Sequence, residues 1–306
     1  MLFGAPDSIV DAHFHTLSDG HVVTLSADTL RLFDLASSVE EAAVEIPMHR
    51  HPLPVSLAFG GARGFDRFAI HVGRQDGSIV TVCPVVPAGA AIRLAEWEEL
   101  VEDVQEQIDS LETQHDDAGE EEQQLVLQLE WLRSCWQAPS DEQFGPGAMD
   151  SDWVVFEPTE ADSMPLSRCQ HSKVGPTSGA AEESSRQLLS LSTVPALATP
   201  ITVVVRLFEG GKLDVLASVC PVQARFGPVD EDGTADVHWT VLEVVDTTLV
   251  SPAVRLGSLE VDPVVGHIMY FVHSSGMYVG VAVHCGSRLR LRFLMCVARC
   301  AVLLWT

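Results

Sequence analysis

The feature that most constrains this chain is a hairpin within residues 57–86, LAFGGARGFDRFAIHVGRQDGSIVTVCPVV. Two apolar segments, 67–73 and 78–83, flank Gln75-Asp76-Gly77. Asp-Gly at a strand junction supplies the positive φ angles that a tight turn needs. Pro84 and Pro87 then end the ladder, because proline has no amide hydrogen to donate. The segment reads as half of a four-stranded sheet and offers no obvious reaction centre.

The unit recurs. Residues 203–208 and 213–219 flank Glu209-Gly210-Gly211, and the copy ends Val219-Cys220-Pro221-Val222, echoing Val82-Cys83-Pro84-Val85. Residues 269–273 and 277–284 flank Ser274-Ser275-Gly276, and a looser copy joins 21–26 to 29–35 through Ala27-Asp28. Hairpins recurring every ~40–65 residues, long insertions apart, suit an all-β propeller of four-stranded blades better than a sandwich with its denser strand spacing. Further strands are expected at 9–15, at 54–59, at 150–156 as the first strand of a blade, and at 237–245. Between them, 37–54 reads as a connection of mixed polarity.

After Pro87 the period changes. Leu94, Trp97, Val101, Val104, Ile108 and Leu111 recur at spacings of three and four, one stripe of a helix. A polar turn at 114–119 precedes a second stripe, Leu125, Leu129, Leu132 and Trp136. Residues 94–137 are therefore expected to form a helical hairpin inserted between blades. No Lys or Arg lies between Arg93 and Arg133, so its outer face is acidic: a solvated face, or a docking site for a basic partner or another helix. Residues 157–192 are rich in Ser, Pro, Gly and Glu and read as a flexible loop.

Charge narrows the partners. With 43 acidic and 18 basic residues the formal charge is −25, which repels a phosphate backbone and excludes general nucleic-acid binding. A hydrophobic fraction of 46% marks a globular rather than a disordered chain. Seven scattered cysteines without a CxxC pair, and no opening secretory signal, lead to the expectation of a reducing compartment, cytosol or nucleus. The apolar stretch 289–305 is broken by Arg290, Arg292 and Arg299 and falls short of the ~20 apolar residues of a membrane span. No membrane insertion is expected. Residues 287–306 are basic and apolar, unlike the rest. They read either as a final core element or as an altered C-terminus.

One stretch carries an enzymatic alternative. Asp11-x-His13-x-His15-Thr16, followed by Ser18-Asp19-Gly20, can place two imidazoles on one side of a strand, where with carboxylates they would bind zinc or a related metal. These words resemble the opening motif of polymerase-and-histidinol-phosphatase-type metallohydrolases. That family continues with a helix and a T-D-H-like ligand set. Here 22–35 reads as a β-hairpin, and no T-D-H occurs. His49-Arg50-His51 reads as an exposed loop, Cys296 and Cys300 as buried thiols, and Ser18-Asp19-Gly20-His21 as too local for a triad assembled in space. Gly60-Gly61-Ala62-Arg63-Gly64 precedes an expected strand, whereas a phosphate site needs a helix N-terminus.

Two stretches together resemble the β-propeller nucleoporins of the cytoplasmic face of the nuclear pore, the eighty-eight-kilodalton nucleoporins of animals and plants and their eighty-two-kilodalton yeast counterpart. FHTLSDGHVVTLSADTLRLFDL at 14–35 is similar to the family stretch in which W-H-P-L-S-D leads into H-L-V-V-L-T-S-D-N-x-L-R-x-Y. His15, Leu17, Ser18, Asp19, His21, Asp28, Leu30 and Arg31 fall on it, while Phe14 and Thr16 depart from its Trp and Pro. FDRFAIHVGRQDGSIVTVCPVVP at 65–87 resembles aromatic-x-x-F-x-V-x-x-x-x-x-D-G-x-I-x-x-L-C-P-x-x-P, with Val82 at its Leu. The acidic insert ending Glu130-Trp131-Leu132 and the 262–283 hairpin follow in the family's order.

The resemblance implies a non-enzymatic scaffold of the nuclear pore complex that anchors FG-repeat and other nucleoporins in protein transport and mRNA export. It assigns no catalytic, cofactor or metal residue, leaving the Asp11/His13/His15 hydrolase and a generic propeller module as alternatives. It also implies that N-terminal blades and a C-terminal coiled coil of the family are missing. The expected plan is a partial propeller over 1–286, with insert 94–137 and loop 157–192, then the tail 287–306.

Overall fold

Apolar strands close on the turns that glycine and aspartate mark. A computed structural model describes residues 8–48, 51–114, 119–137, 152–157, 167–174, 187–194, 201–209, 212–227, 237–246, 257–261, 268–273, 278–285 and 289–294. The first sheet is an antiparallel meander of β1 (Asp11–Phe14), β2 (His21–Leu25), β3 (Thr29–Asp34) and β4 (Val44–Pro47). Strand β4 lies inside what the sequence reads as a connection. Its alternating Val44 and Ile46 pair opposite Leu32 and Leu30. The edge of β1 is blunted, as unpaired edges usually are: the Ala12 amide donates to its neighbour's Asp11 Oδ1 at 2.9 Å.

Next come β5 (Pro54–Phe59), a 3₁₀ turn at Gly64–Phe68, β6 (Ile70–Arg74) and β7 (Ile79–Val82). Asp-Gly makes the turn as expected, with Gly77 at φ +84°. The strand expected from residue 67 begins only at Ile70, because the Asp66 carbonyl takes the Ala69 amide at 2.9 Å and curls the chain first. Then follow β8 (Ala91–Arg93), α1 (Leu94–Gln114), α2 (Gly119–Ser134), β9 (Trp136–Gln137) and β10 (Trp153–Phe156). Three acidic residues open α2 and Arg133 closes it, both favourable to the helix dipole. Buried Leu100, Val104 and Ile108 line α1, and Leu125, Leu129 and Leu132 line α2. The expectation that 150–156 opens a blade is corrected: β10 sits between β8 and β9 in a three-stranded sheet of its own.

Residues 157–192 are not one loop. They contain β11 (Cys169–Val174) and the start of β12 (Leu188–Thr193), where Cys169, Gln170, Leu188 and Leu191 are buried. Serine-rich composition hid them because LLSLST is buried on both faces and shows no alternation. With β13 (Val203–Phe208), β14 (Lys212–Ser218), β15 (Val237–Asp246) and the earlier β5, β6 and β7 they form an eight-stranded sheet in the order β12-β13-β14-β15-β11-β7-β6-β5. The sheet is two four-stranded groups joined by a parallel pairing of β11 and β15, Ser172↔Val237 through Val174↔Trp239. The helical hairpin therefore interrupts a four-stranded group, between β7 and β11, rather than separating two blades. The last sheet is β16 (Gly257–Val261), β17 (Ile268–His273), β18 (Tyr278–Cys285) and β19 (Leu289–Leu294), in that order. The tail thus contributes a strand, and 295–306 lie outside the described residues.

Two compact units result: Met1–Met48 with Val82–Cys169 and Gln223–Glu231, and His49–Thr81 with Gln170–Val222 and Asp232–Thr306. In the second, Ala58, Ile79, Leu191, Val204, Leu216, Val237 and Trp239 form one apolar core. Gly73 lets β12 approach β6, since a Cβ there would stand 2.6 Å from Leu188 Cδ2. The Gly77 turn is tied down by Arg206, which donates to its carbonyl at 2.5 Å and to Asp214 Oδ2 at 2.8 Å.

Candidate functional site

The Asp11-His13-His15 stretch comes first, because it alone suggested chemistry. His13 Nε2 pairs with Asp11 Oδ1 at 3.0 Å on the exposed strand β1. His15 turns inward instead and is 3% exposed. Its Nδ1 accepts the Leu17 amide at 3.1 Å, which places the ring proton on Nε2, and Nε2 donates to the Val85 carbonyl at 3.2 Å. Both nitrogens are thus engaged by backbone. Among the described residues, no three His, Cys, Asp or Glu side chains gather where they could hold a metal ion. Ser18 Oγ and His21 Nδ1 meet at 2.8 Å, the Ser18 hydroxyl also takes the Gly20 amide, and Asp19 is exposed: a turn clasp. His49, Cys296 and Cys300 lie outside the described residues, and His51 is exposed.

Burial lowers His15 to about 4, with the Val85 hydrogen bond opposing and His21 adding to the fall. The folded chain refuses a proton that the unfolded chain accepts at the ordinary value of 6.5. The stabilisation is complete above pH 6.5 and is lost as pH falls toward 4, with a slope of up to about 1.4 kcal/mol per pH unit and a total of about 3 kcal/mol. Urea unfolding at half-unit steps from pH 4 to 7 should show that slope. In His15→Gln it should flatten across the same window, whatever the variant's stability at pH 7.

A second constellation was missed in the sequence. His71 Nε2 meets Asp66 Oδ1 at 3.1 Å and His71 Nδ1 meets Thr81 Oγ1 at 3.0 Å, while Asp66 Oδ2 takes the Gly61 amide at 2.5 Å. The Trp239 ring stands edge-on to His71 at 5.6 Å. A hydroxyl, an imidazole and a carboxylate in line suggest a nucleophile, yet His71 and Thr81 are 0% exposed. No substrate reaches them. The network pins the 60–68 loop to its sheet. The available signal was His71 within the apolar run Ala69-Ile70-His71-Val72, since a polar group in a fully buried strand must find partners.

What remains accessible is surface. Glu98, Glu99, Glu102, Asp103, Glu106 and Asp109 are all exposed along α1. This confirms the acidic outer face expected of the insert. Such a face attracts basic surfaces over about a Debye length of 8–10 Å and repels phosphate. Among the described residues no helix is long and apolar enough to cross a membrane.

No family model matches the chain. The nuclear pore complex protein NUP88 of Arabidopsis thaliana is 34% identical over 106 residues, 31% of this chain and 13% of that protein. Among solved structures, a chain of the Chaetomium thermophilum Nup82 NTD–Nup159 TAIL–Nup145N APD complex superposes with a TM-score of 0.72 at 12% identity, covering 90% of this chain and 60% of that one. A chain of the yeast Nup82–Nup159–Nup116 complex gives 0.69 at 14%, covering 96% and 68%. This chain therefore spans less than two thirds of the first of these, and its matched segment is a small part of the plant protein. The superpositions carry the fold: all-β, part of a β-propeller, with a helical insert.

Proposed function

We propose that this chain is a non-enzymatic nucleoporin of the eighty-eight-kilodalton family, a structural component of the nuclear pore complex that anchors other nucleoporins, FG-repeat nucleoporins among them, at the cytoplasmic face. In that place it serves nucleocytoplasmic transport of protein and mRNA. The observation that carries the reading is one sequence relative and two solved folds converging on one kind of pore subunit. The partner reading is supported by the two solved complexes, in which the similar fold is assembled with Nup159 and with Nup145N or Nup116. The physics fits: rigid sheets present loops and an acidic helical face, and a net charge of −25 disfavours direct contact with RNA.

Tagged chain purified from its native cells should carry other nucleoporins into the eluate, identified by mass spectrometry, and a fluorescent fusion should mark the nuclear rim. A soluble, folded chain that brings down no pore subunit and stays diffuse would overturn the assignment. Stoichiometric zinc or manganese in the same eluate would reopen the hydrolase.

A further inference from the structure

Residues 222–227, which follow β14, run as an extended segment along α2, and the way they are held goes beyond the pore assignment. Gln124 Nε2 donates to the Phe226 carbonyl at 3.1 Å while its Oε1 accepts the Phe226 amide at 3.0 Å. One turn on, Gln128 Nε2 donates to the Ala224 carbonyl at 2.8 Å. Residues four apart on a helix rise ~6 Å, and alternate residues of a strand advance ~6.7 Å, so two side-chain amides on α2 fall in register with alternate peptide groups. The other edge is also read: the Arg225 amide donates to the Cys83 carbonyl at 2.9 Å, and the Arg168 amide donates to the Arg225 carbonyl at 2.8 Å.

Side chains lock the same segment. Arg225 forks onto Glu121 at 2.7 and 3.0 Å, and Arg168 reaches Glu120 at 3.3 Å. The Trp131 ring stacks on Phe156 at 5.8 Å and tilts against Phe226 at 6.3 Å. Val222, Ala224 and Phe226 are buried. The insert's two ends, meanwhile, are rooted in β8 and β9 on either side of β10. A helical pair is thus rooted at its base and held along its second helix by a short contact with a distant stretch of chain, apolar beneath and polar along its edges.

We propose that residues 222–227 are a strap and that the α1–α2 insert opens as one unit, hinged at β8 and β9, when the strap lets go. The strap makes the presentation of the acidic α1 face a conformational variable, set by contacts on α2 rather than by α1 itself. Polar contacts with partly exposed carboxylates are the class that salt weakens, while the apolar sheets around them are not so weakened.

Hydrogen exchange on the full chain, read by mass spectrometry at peptide level, tests this. In Gln128→Ala and in Arg225→Lys, amides of α1 and α2 should exchange at least about tenfold faster, with β2–β3 and β13–β14 unchanged. Arg31→Ala, which removes the exposed ion pair with Glu45, should leave the insert as it is in the unaltered chain. Acceleration spread evenly over helices and sheets, or none, overturns the proposal. Should a variant fail to fold, the unaltered chain in rising sub-denaturing urea decides. Insert helices exchanging together ahead of the sheets support the strap. Exchange only with global unfolding overturns it.

Discussion

Arg206→Ala should destabilise the chain by about 3–5 kcal/mol, the range found when one partner of a buried ion pair is removed. The pair lies on adjacent strands, Arg206↔Asp214 in register, and both residues are buried. Burial pushes the Arg206 guanidinium below its ordinary value, and Asp214 opposes that fall by charge and by hydrogen bond. Truncation strands the Asp214 carboxylate, whose Oδ1 already has no hydrogen-bond partner among the described residues. It also takes the donor from the Gly77 carbonyl and the cation from the Phe208 ring, 5.1 Å away. The cost is chiefly that of the group left behind, so Arg206→Met with Asp214→Leu should recover most of it. Urea midpoints for both single variants and the double variant measure the coupling. An Arg206→Ala chain within 1 kcal/mol of the unaltered one, on the order of ordinary surface changes, would sink the argument.

The same site shows which parts of this fold could be read in advance. Asp76-Gly77 marked its turn because only a few residues accept positive φ there, and the strands on either side carried their own apolar runs. Helices α1 and α2 were legible from their spacing, even though Leu100, off the expected stripe, is among the most buried residues of α1. What the residues alone did not show was pairing at a distance. Arg206 looks like any strand arginine until Gly77 arrives beneath it. Strand β11 hides in a serine-rich stretch because its partner β15 lies more than sixty residues on. Gln124 and Gln128 read as polar positions on a helix, and only the arrival of Ala224 and Phe226 makes them buried receptors of backbone. The Asp11/His13/His15 words failed for the converse reason. The motif supplied ligand types at the right spacing, but the chain turns inward at His15 and uses that ring to join Leu17 to Val85. The resemblance over 14–35 and 65–87 anticipated the plant pore protein to which part of the chain is similar and the fold that the solved structures share. It did not anticipate that the insert would interrupt a four-stranded group.

Gly60→Ala should be the most damaging added methyl among the described glycines, costing at least about 4 kcal/mol, which few point changes reach. A Cβ at this position would stand 1.9 Å from the Asp66 backbone carbonyl oxygen and 2.7 Å from its Oδ1. The first contact is with main chain, which cannot rotate aside as a flexible side chain could. It also falls where the Asp66 carbonyl accepts the Ala69 amide and the Gly60 amide meets the Ala69 carbonyl at 2.8 Å. Relief therefore requires the whole 60–68 turn to move. That movement pulls the Asp66 carboxylate off Gly61 and His71 and leaves the His71–Thr81 pair buried without it. A buried polar network that is half satisfied is worse than none. Glycine at 60 is thus required by space, and the glycine-rich run is a cradle for an internal carboxylate rather than for a phosphate. Gly119→Ala, with nothing among the described residues within 4 Å of its added methyl at the start of α2, serves as the control and should be neutral. For a domain of 150–250 residues each kcal/mol moves Tm by about 2–4 °C, so the two variants should separate by about 8 °C or more in a thermal melt. A Gly60→Ala chain that melts with the control would mean that Asp66 is held by something other than this turn.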